Sequence, residues 1–366
     1  DPALTYLASG FQYSDSVGTV LTGGLARAAG ETVAGGPYSI NVGTLAANGN
    51  YSVSYTPNTL SITPATLTYL ANSSSREYGD ANPAFSGTVS GFKLGETLGT
   101  ATTGTLSFTS ATTPSSNVGS YAINGGGLSA NSGNYAFVQD PANAAALTIN
   151  PATLMYLANA ANRERGDANP ALSGTVTGFK LGESMATATT GTLAFTSPAA
   201  QSSAEGQYAI NGNGLAALNG NYTFAQAPAN TTALTVTQPV NFTWTAAGGG
   251  AWESGSNWNK GFAPVDGAVV TIPDLGPVGP SATITYSSAT TNVKTLTSFE
   301  GLASAGGNLN LGTGGADVST FQGGAPLTLT GGMLGINSGA ALSVSNLILN
   351  GGTLRASGGA AIADTS

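Results

Sequence analysis

Any chemistry in this chain would have to come from carboxylates, because it has no histidine and no cysteine. That excludes imidazole acid–base work and the commonest transition-metal ligands. The 17 Asp and Glu are spread singly, among only nine Lys and Arg. In the C-terminal third the acids are Glu253, Asp266, Asp274, Glu300, Asp317 and Asp364. A polysaccharide-cleaving site on a β-helix needs acids gathered on adjacent rungs for Ca²⁺, with a Lys or Arg as base. Here Lys260, Lys294 and Arg355 stand far apart in sequence, no acidic cluster is visible, and no D-x-D-x-D-G loop occurs. No catalytic, cofactor-binding or metal-binding residue is therefore assigned, and no cofactor is expected.

Two constellations could bind instead of react. Arg165-Gly166-Asp167 is an integrin-type tripeptide. Yet it lies in a Gly-Asp-Ala-Asn-Pro run, 166–170, that also occurs at 79–83, where the residue before Gly is Tyr78. Gly permits positive φ, Asp and Asn bond to nearby backbone, and Pro ends the turn. A module-internal turn explains the run, and one Tyr-to-Arg change creates the tripeptide. Receptor binding would need a loop tip with both charged side chains free. The second constellation is Trp244, Trp252 and Trp258, the only tryptophans. They could stack on a sugar, or they could cover the open end of an apolar core, since large aromatics bury the most area. Their position at the start of a new region favours the cover. The sequons at Asn50, Asn72, Asn221, Asn230 and Asn241 are what so Asn- and Thr-rich a chain produces by chance.

The elements that position these residues are set by a duplication. Residues 64–150 recur at 151–237 without a gap, and 58 of the 87 positions are identical. Apolar residues alternate within the repeat: Leu67 with Tyr69, Leu106 with Phe108, Tyr121 with Ile123, Tyr135 with Phe137, Leu147 with Ile149. This period of two predicts strands, punctuated by Gly, Asn, Pro and Ser turns. One turn of helix is predicted near 94–100. Each module is then a small β-sandwich or β-grasp-like domain.

Residues 1–63 read as a shortened copy. Asp1-Pro2-Ala3-Leu4-Thr5-Tyr6-Leu7 echoes the run at 63–70, so Leu4 and Tyr6 are aligned with the module's first strand, and the copy is expected to begin at a module boundary of a longer protein. Gly36–Ile40 aligns with Gly119–Ile123 and Gly49–Tyr51 with Gly133–Tyr135, while the GDANP and GFKLGE elements are read as missing. Modules are thus placed at 1–63, 64–150 and 151–238. Residues 239–366 differ. Gly-Gly pairs at 306–307, 314–315, 323–324, 331–332, 351–352 and 358–359 separate short apolar-alternating strands, the pattern of a parallel β-solenoid. Further rungs are expected after Ser366, because an uncapped end exposes strand edges.

Composition bounds the partners. Charged residues make up only 7% of the chain against about 25% in an average domain, and the net charge is −8. The scattered cations argue against nucleic acid and against an anionic membrane surface. No apolar run is long enough to span a bilayer.

The module pattern resembles the MBG repeats. The matching elements are L-T-Y at 67–69, Y-G-D-x-N-P at 78–83, S-G-T-V-x-G-F at 86–92, Y-A-I at 121–123, G-N-Y-x-F at 133–137 and A-L-T-I at 146–149. Arg165 departs from it by replacing the motif tyrosine. Such repeats occur in large bacterial surface proteins, including filamentous-haemagglutinin-like adhesins, and residues 240–366 resemble the glycine-rich β-helical passengers of such adhesins. The resemblance implies an extracellular or cell-surface location, an outer-membrane secretion partner of two-partner or autotransporter type, and no catalytic residues. The expected role is a non-enzymatic spacer. The alternatives are modules that bind a cell-surface glycan or protein receptor with avidity, a self-assembling filament subunit, and a β-helix enzyme.

Overall fold

The computed structural model describes residues 1–276 and 281–364. The chain is all-β and forms two compact units: residues 1–152 with 179–188 and 217–223, and residues 153–178 and 189–216 with everything from 224 on.

The first unit holds the whole of the module at 64–150. Its central strand, Ala65–Ala71, runs parallel to Tyr135–Gln139 on one side and antiparallel to Gly87–Ser90 on the other. Alternate side chains Leu67, Tyr69 and Ala71 enter the core, as the period of two requires. The Tyr69 ring stacks on Phe137 at 5.2 Å and meets Phe108 edge-on at 6.3 Å. A second sheet orders Gly119–Tyr121, Leu147–Asn150 and Ser74–Glu77, and a hairpin pairs Thr102–Thr109 with Asn124–Ala130. The expected helical turn is Leu98–Ala101, entered through a Thr97–Thr100 capping box. The strands Ser74–Glu77 and Gly87–Ser90 were not legible, because polar residues and glycine hide their alternation.

The sheets are stitched by one buried amide. Asn143 accepts from the Ala71 N–H at 2.8 Å and donates to the Tyr69 carbonyl at 2.9 Å and the Gln139 side chain at 3.0 Å. Asn230 repeats the arrangement with Ala158, Tyr156 and Gln226 in the second unit.

Residues 1–62 require a correction of register. Their helical turn Val17–Val20 has a Ser16–Thr19 capping box, the counterpart of Leu98–Ala101 and Thr97–Thr100. Tyr51 Oη donates to Asp15 at 2.7 Å and accepts from Gln12 N at 3.0 Å, as Tyr135 bonds Glu96 and accepts from Lys93 N. Residues 9–11 therefore match 90–92, and Asp1-Pro2 matches Asn82-Pro83. The run at 2–8 is the counterpart of 83–89 and not of the central strand. The GFKLGE segment is present as Gly10–Asp15, so residues 1–62 correspond to the part of the module that runs from Asn82 onward.

In the second unit, Ala152–Ala158 is the central strand of the third module, with Leu154 and Tyr156 buried and Tyr156 stacked on Phe224 at 5.3 Å. Beyond Thr237 the chain winds into a parallel β-solenoid. One sheet stacks Asn241–Thr243, Val269–Ile272, Thr295–Ser298, Val318–Phe321, Ala341–Ser343 and Ala361–Ala363. The other stacks Gly250–Ala251, Thr283–Tyr286, Gly301–Leu311, Leu327–Ile336 and Leu347–Leu349. Identical registers build aliphatic columns, such as Leu309 on Leu334 on Leu354. The corners are glycine columns: Gly307, Gly332 and Gly352 share φ of +67°, +65° and +64°, and a methyl on Gly332 would sit 2.4 Å from the Gly307 carbonyl oxygen.

The acidic residues of the solenoid cap backbone. Glu253 accepts from Ser287 and Ser288 N–H; burial opposes its charge, but these bonds outweigh it and hold the carboxyl below its usual range. Asp266 accepts from Asn292 N, and Asp317 from Thr313 N. Glu300 is fully buried and accepts from Leu275 N, Ser281 N and Ala282 N at 2.7–2.8 Å. Glu300→Gln forces an NH₂ group against one set of N–H donors. We expect a loss of about 2–3 kcal/mol in denaturant unfolding, and a loss below about 0.5 kcal/mol would show that the N–H groups of Leu275, Ser281 and Ala282 do not depend on the carboxylate.

Candidate functional site

The recurrent Gly-Asp turn is the place where charged residues converge. In the module at 64–150 it follows the strand Ser74–Glu77. Arg76, buried, pins it by donating to Asn82 Oδ1 at 2.8 Å and to the Thr113 carbonyl at 2.6 Å. Arg163 does the same for the third module through Asn169 and the Ala200 carbonyl. Gly79 and Gly166 have φ of +87° and +91°, and Asp80 N and Asp167 N close the turns on the Glu77 and Glu164 carbonyls.

Each turn also grips a lysine of the domain that follows. In the first unit, Lys180 Nζ lies 2.9 Å from Asp80 and 3.9 Å from Glu77. A methyl on Gly79 would sit 2.4 Å from Lys180 Cβ, so glycine is needed for the approach. Tyr78 donates to Glu183 at 2.9 Å, and Tyr222 donates to the other oxygen of the same carboxylate at 2.5 Å. The two rings meet edge-on at 5.5 Å. Asn221 completes the contact by accepting from Val118 N at 3.0 Å.

In the second unit, Lys260 takes the corresponding role although it belongs to the solenoid. Its ammonium is 2.5 Å from Asp167 and 2.9 Å from Glu164, with only 6% of the side chain exposed against 34% for Lys180. A methyl on Gly166 would sit 2.5 Å from the Lys260 carbonyl oxygen. Where Tyr78 meets Tyr222, Arg165 lies over the Phe262 ring at 4.3 Å and reaches Glu205 at 3.9 Å.

The electrostatics favour the charged clamp. The hydrogen bond to Asp80 raises the Lys180 pKa against a burial cost. Burial works against the Lys260 charge, but Asp167 and Glu164 outweigh it and the net shift is upward. Burial first, then the Glu183 carboxylate, pushes Tyr222 up to about 12. All three groups therefore keep at neutral pH the proton that the contacts require.

This geometry places the two constellations read from the sequence. Arg165, Gly166 and Asp167 are brought together, but the arginine is laid on Phe262 and the aspartate is tied to Lys260, so the tripeptide is not splayed for a receptor. Trp244, Trp252 and Trp258 also come together, at 1%, 0% and 3% exposure, with ring centroids 4.8–5.0 Å apart and edge-on. Trp258 Nε1 donates to the Trp252 carbonyl and Trp244 Nε1 to that of Gly248. None of the rings has a face open to stack on a sugar. Among the described residues no three Asp or Glu gather as a metal site.

The lysine clamp was missed by sequence reasoning. A signal existed: in a chain only 7% charged, both copies keep Glu-x-Gly-Asp and Gly-Phe-Lys-Leu-Gly-Glu. Such retained charges ask for partners.

Fold and contacts define a chain of small β-modules coupled by one recurring turn and continued by a solenoid. Residues 1–61, 67–145 and 154–232 match the MBG domain (YGX type), well over half of the chain, which therefore belongs to that family. No curated protein and no solved structure matches the chain.

Proposed function

We propose that this chain is a non-enzymatic spacer of a secreted or cell-surface bacterial adhesin, in which each β-domain is fastened to its successor by the Glu-x-Gly-Asp turn. The observation that carries the reading is that the turn grips Lys180 of an MBG module and Lys260 of a solenoid in the same way. A binding or catalytic loop has no reason to be spent on the next domain in both copies, whereas a spacer needs joints. The MBG resemblance supports a surface location, and the lack of cysteine suits export through an outer-membrane partner. A glycan or protein receptor would be met by other parts of such an adhesin.

The test is a Lys180→Ser/Lys260→Ser double variant of the whole chain. It should keep the far-UV spectrum, broaden the distance distribution in small-angle scattering, and be cleaved faster around 237–239 by a non-specific protease. Unchanged scattering and cleavage would remove the joint from the argument. Binding of the intact wild-type chain to a glycan array or to host cells would replace the spacer by an adhesive module.

A further inference from the structure

Within the recurring turn a single position differs. Residues 76–83 and 163–170 are identical except that Tyr78 stands where the third module has Arg165. Both side chains meet the domain that follows, and each meets a different group there. Tyr78 is 4% exposed; its hydroxyl donates to Glu183 at 2.9 Å and its ring meets Tyr222 edge-on. Arg165 keeps 36% of its side chain exposed and lies over the Phe262 ring at 4.3 Å. Its Nε finds no hydrogen-bond partner among the described residues, and Glu205 belongs to its own module. The aromatic ring is therefore what the follower contributes to Arg165.

The two followers present these groups at short, different spacings from the lysine. In the MBG module Glu183 comes three residues after Lys180, and in the solenoid Phe262 comes two residues after Lys260. Neither side chain suits the other joint. A tyrosine at 165 would reach the ring but find no acceptor on the follower's loop, because no Asp or Glu occurs between Glu253 and Asp266. An arginine at 78 would bring a second cation beside Lys180 into a nearly closed site. Its claim on Glu183 would also compete with the bond from Tyr222.

We propose that the residue before each Gly-Asp selects the follower, an inference that rests on the reading of the turn as a joint. Tyrosine selects a module that presents Lys-x-x-Glu, and arginine selects a domain that presents Lys-x-aromatic. The lysine closes either joint; the side chain before the glycine ranks the followers. Discrimination comes from what a mismatch leaves behind, an unpaired hydroxyl or a crowded cation, more than from extra attraction in the match. The departure from the motif tyrosine at Arg165 accordingly falls where the chain passes from an MBG module to the solenoid.

The experiment reads each joint separately in the whole chain. The first joint reports through hydrogen exchange of the Val118 N–H, which is bonded across it to Asn221. The second reports through cleavage by a non-specific protease at 237–239. Both rates follow the population of the opened joint. Tyr78→Arg and the milder Tyr78→Phe should each speed Val118 exchange about tenfold and leave cleavage at 237–239 unchanged. Arg165→Tyr should speed that cleavage about threefold and leave Val118 unchanged. The effects should vanish when the follower's group is removed: Tyr78→Phe adds nothing in a Glu183→Ala background, and Arg165→Tyr adds nothing in a Phe262→Leu background. Equal effects with and without those groups would overturn the proposal, because the side chains would then act only within their own modules. Unchanged rates in the Tyr78 and Arg165 variants would also overturn it. If Lys180→Ser and Lys260→Ser still open their joints, selection falls and the joint stands. If the lysine variants are silent too, the joint itself falls.

Discussion

Trp258→Ala is expected to lower the stability of the solenoid by about 3–5 kcal/mol, the largest single-residue effect in the chain. The ring stands between Trp244 at 5.0 Å and Trp252 at 4.8 Å, with Phe242 edge-on at 6.4 Å. Its removal opens a cavity that three rigid aromatic neighbours cannot collapse into, and it strips the Trp252 carbonyl of the indole N–H at 2.7 Å. Stacked rungs depend on their neighbours, so the damage should spread from this end into the ladder. Guanidinium unfolding followed by near-ultraviolet circular dichroism measures it. Trp258→Phe should recover part of the loss. A change under about 1 kcal/mol for the alanine variant would mean that the tryptophans do not seal the core.

The second large effect is expected at Asn143. Alanine there removes three hydrogen bonds at once. The Tyr69 carbonyl keeps a bond from Asp140 N, and Gln139 keeps Gly125, but the Ala71 N–H is left buried without an acceptor. An orphaned buried donor together with the lost bonds costs about 3 kcal/mol. Asn143→Asp should be no better at neutral pH, because it sets a carboxylate oxygen against two acceptors. Asn230→Ala offers an internal control: its partners and distances are nearly the same, so its loss in the third module should match within about 0.5 kcal/mol. Thermal unfolding of the two single variants decides this. A large effect at one site and none at the other would show that the amide is not a shared structural rule.

Much of the module was legible because a half-buried strand shows on its surface what it does in the core. Leu67 with Tyr69 and Leu147 with Ile149 alternate, and they are buried as alternation demands. The solenoid was legible from its glycine pairs, three of which are stacked corners. The first module was misread for the same reason the others were read well. A period of two is common to all half-buried strands, so Pro2–Ala8 passed for a central strand when it is the counterpart of an edge. What discriminates is non-periodic: the Ser16–Thr19 cap and the Tyr51–Asp15 bond. The joint was hidden because its halves lie about 100 residues apart, Asp80 with Lys180 and Asp167 with Lys260, and neither half is unusual alone. The tryptophans were visible as a group, but only packing distinguishes a seal from a platform.

The clamp asks little of whatever comes next. One follower is an MBG module and the other a solenoid, and they share no fold, only a lysine that is delivered to two carboxylates and packed against a glycine. In evolutionary terms this is a universal coupling. A gene that acquires a new downstream domain does not have to co-evolve a matching surface on the upstream one; a single well-placed codon for lysine meets most of the requirement. Modular proteins that lengthen by duplication and shuffling would then be free to change what they carry while leaving the connector untouched.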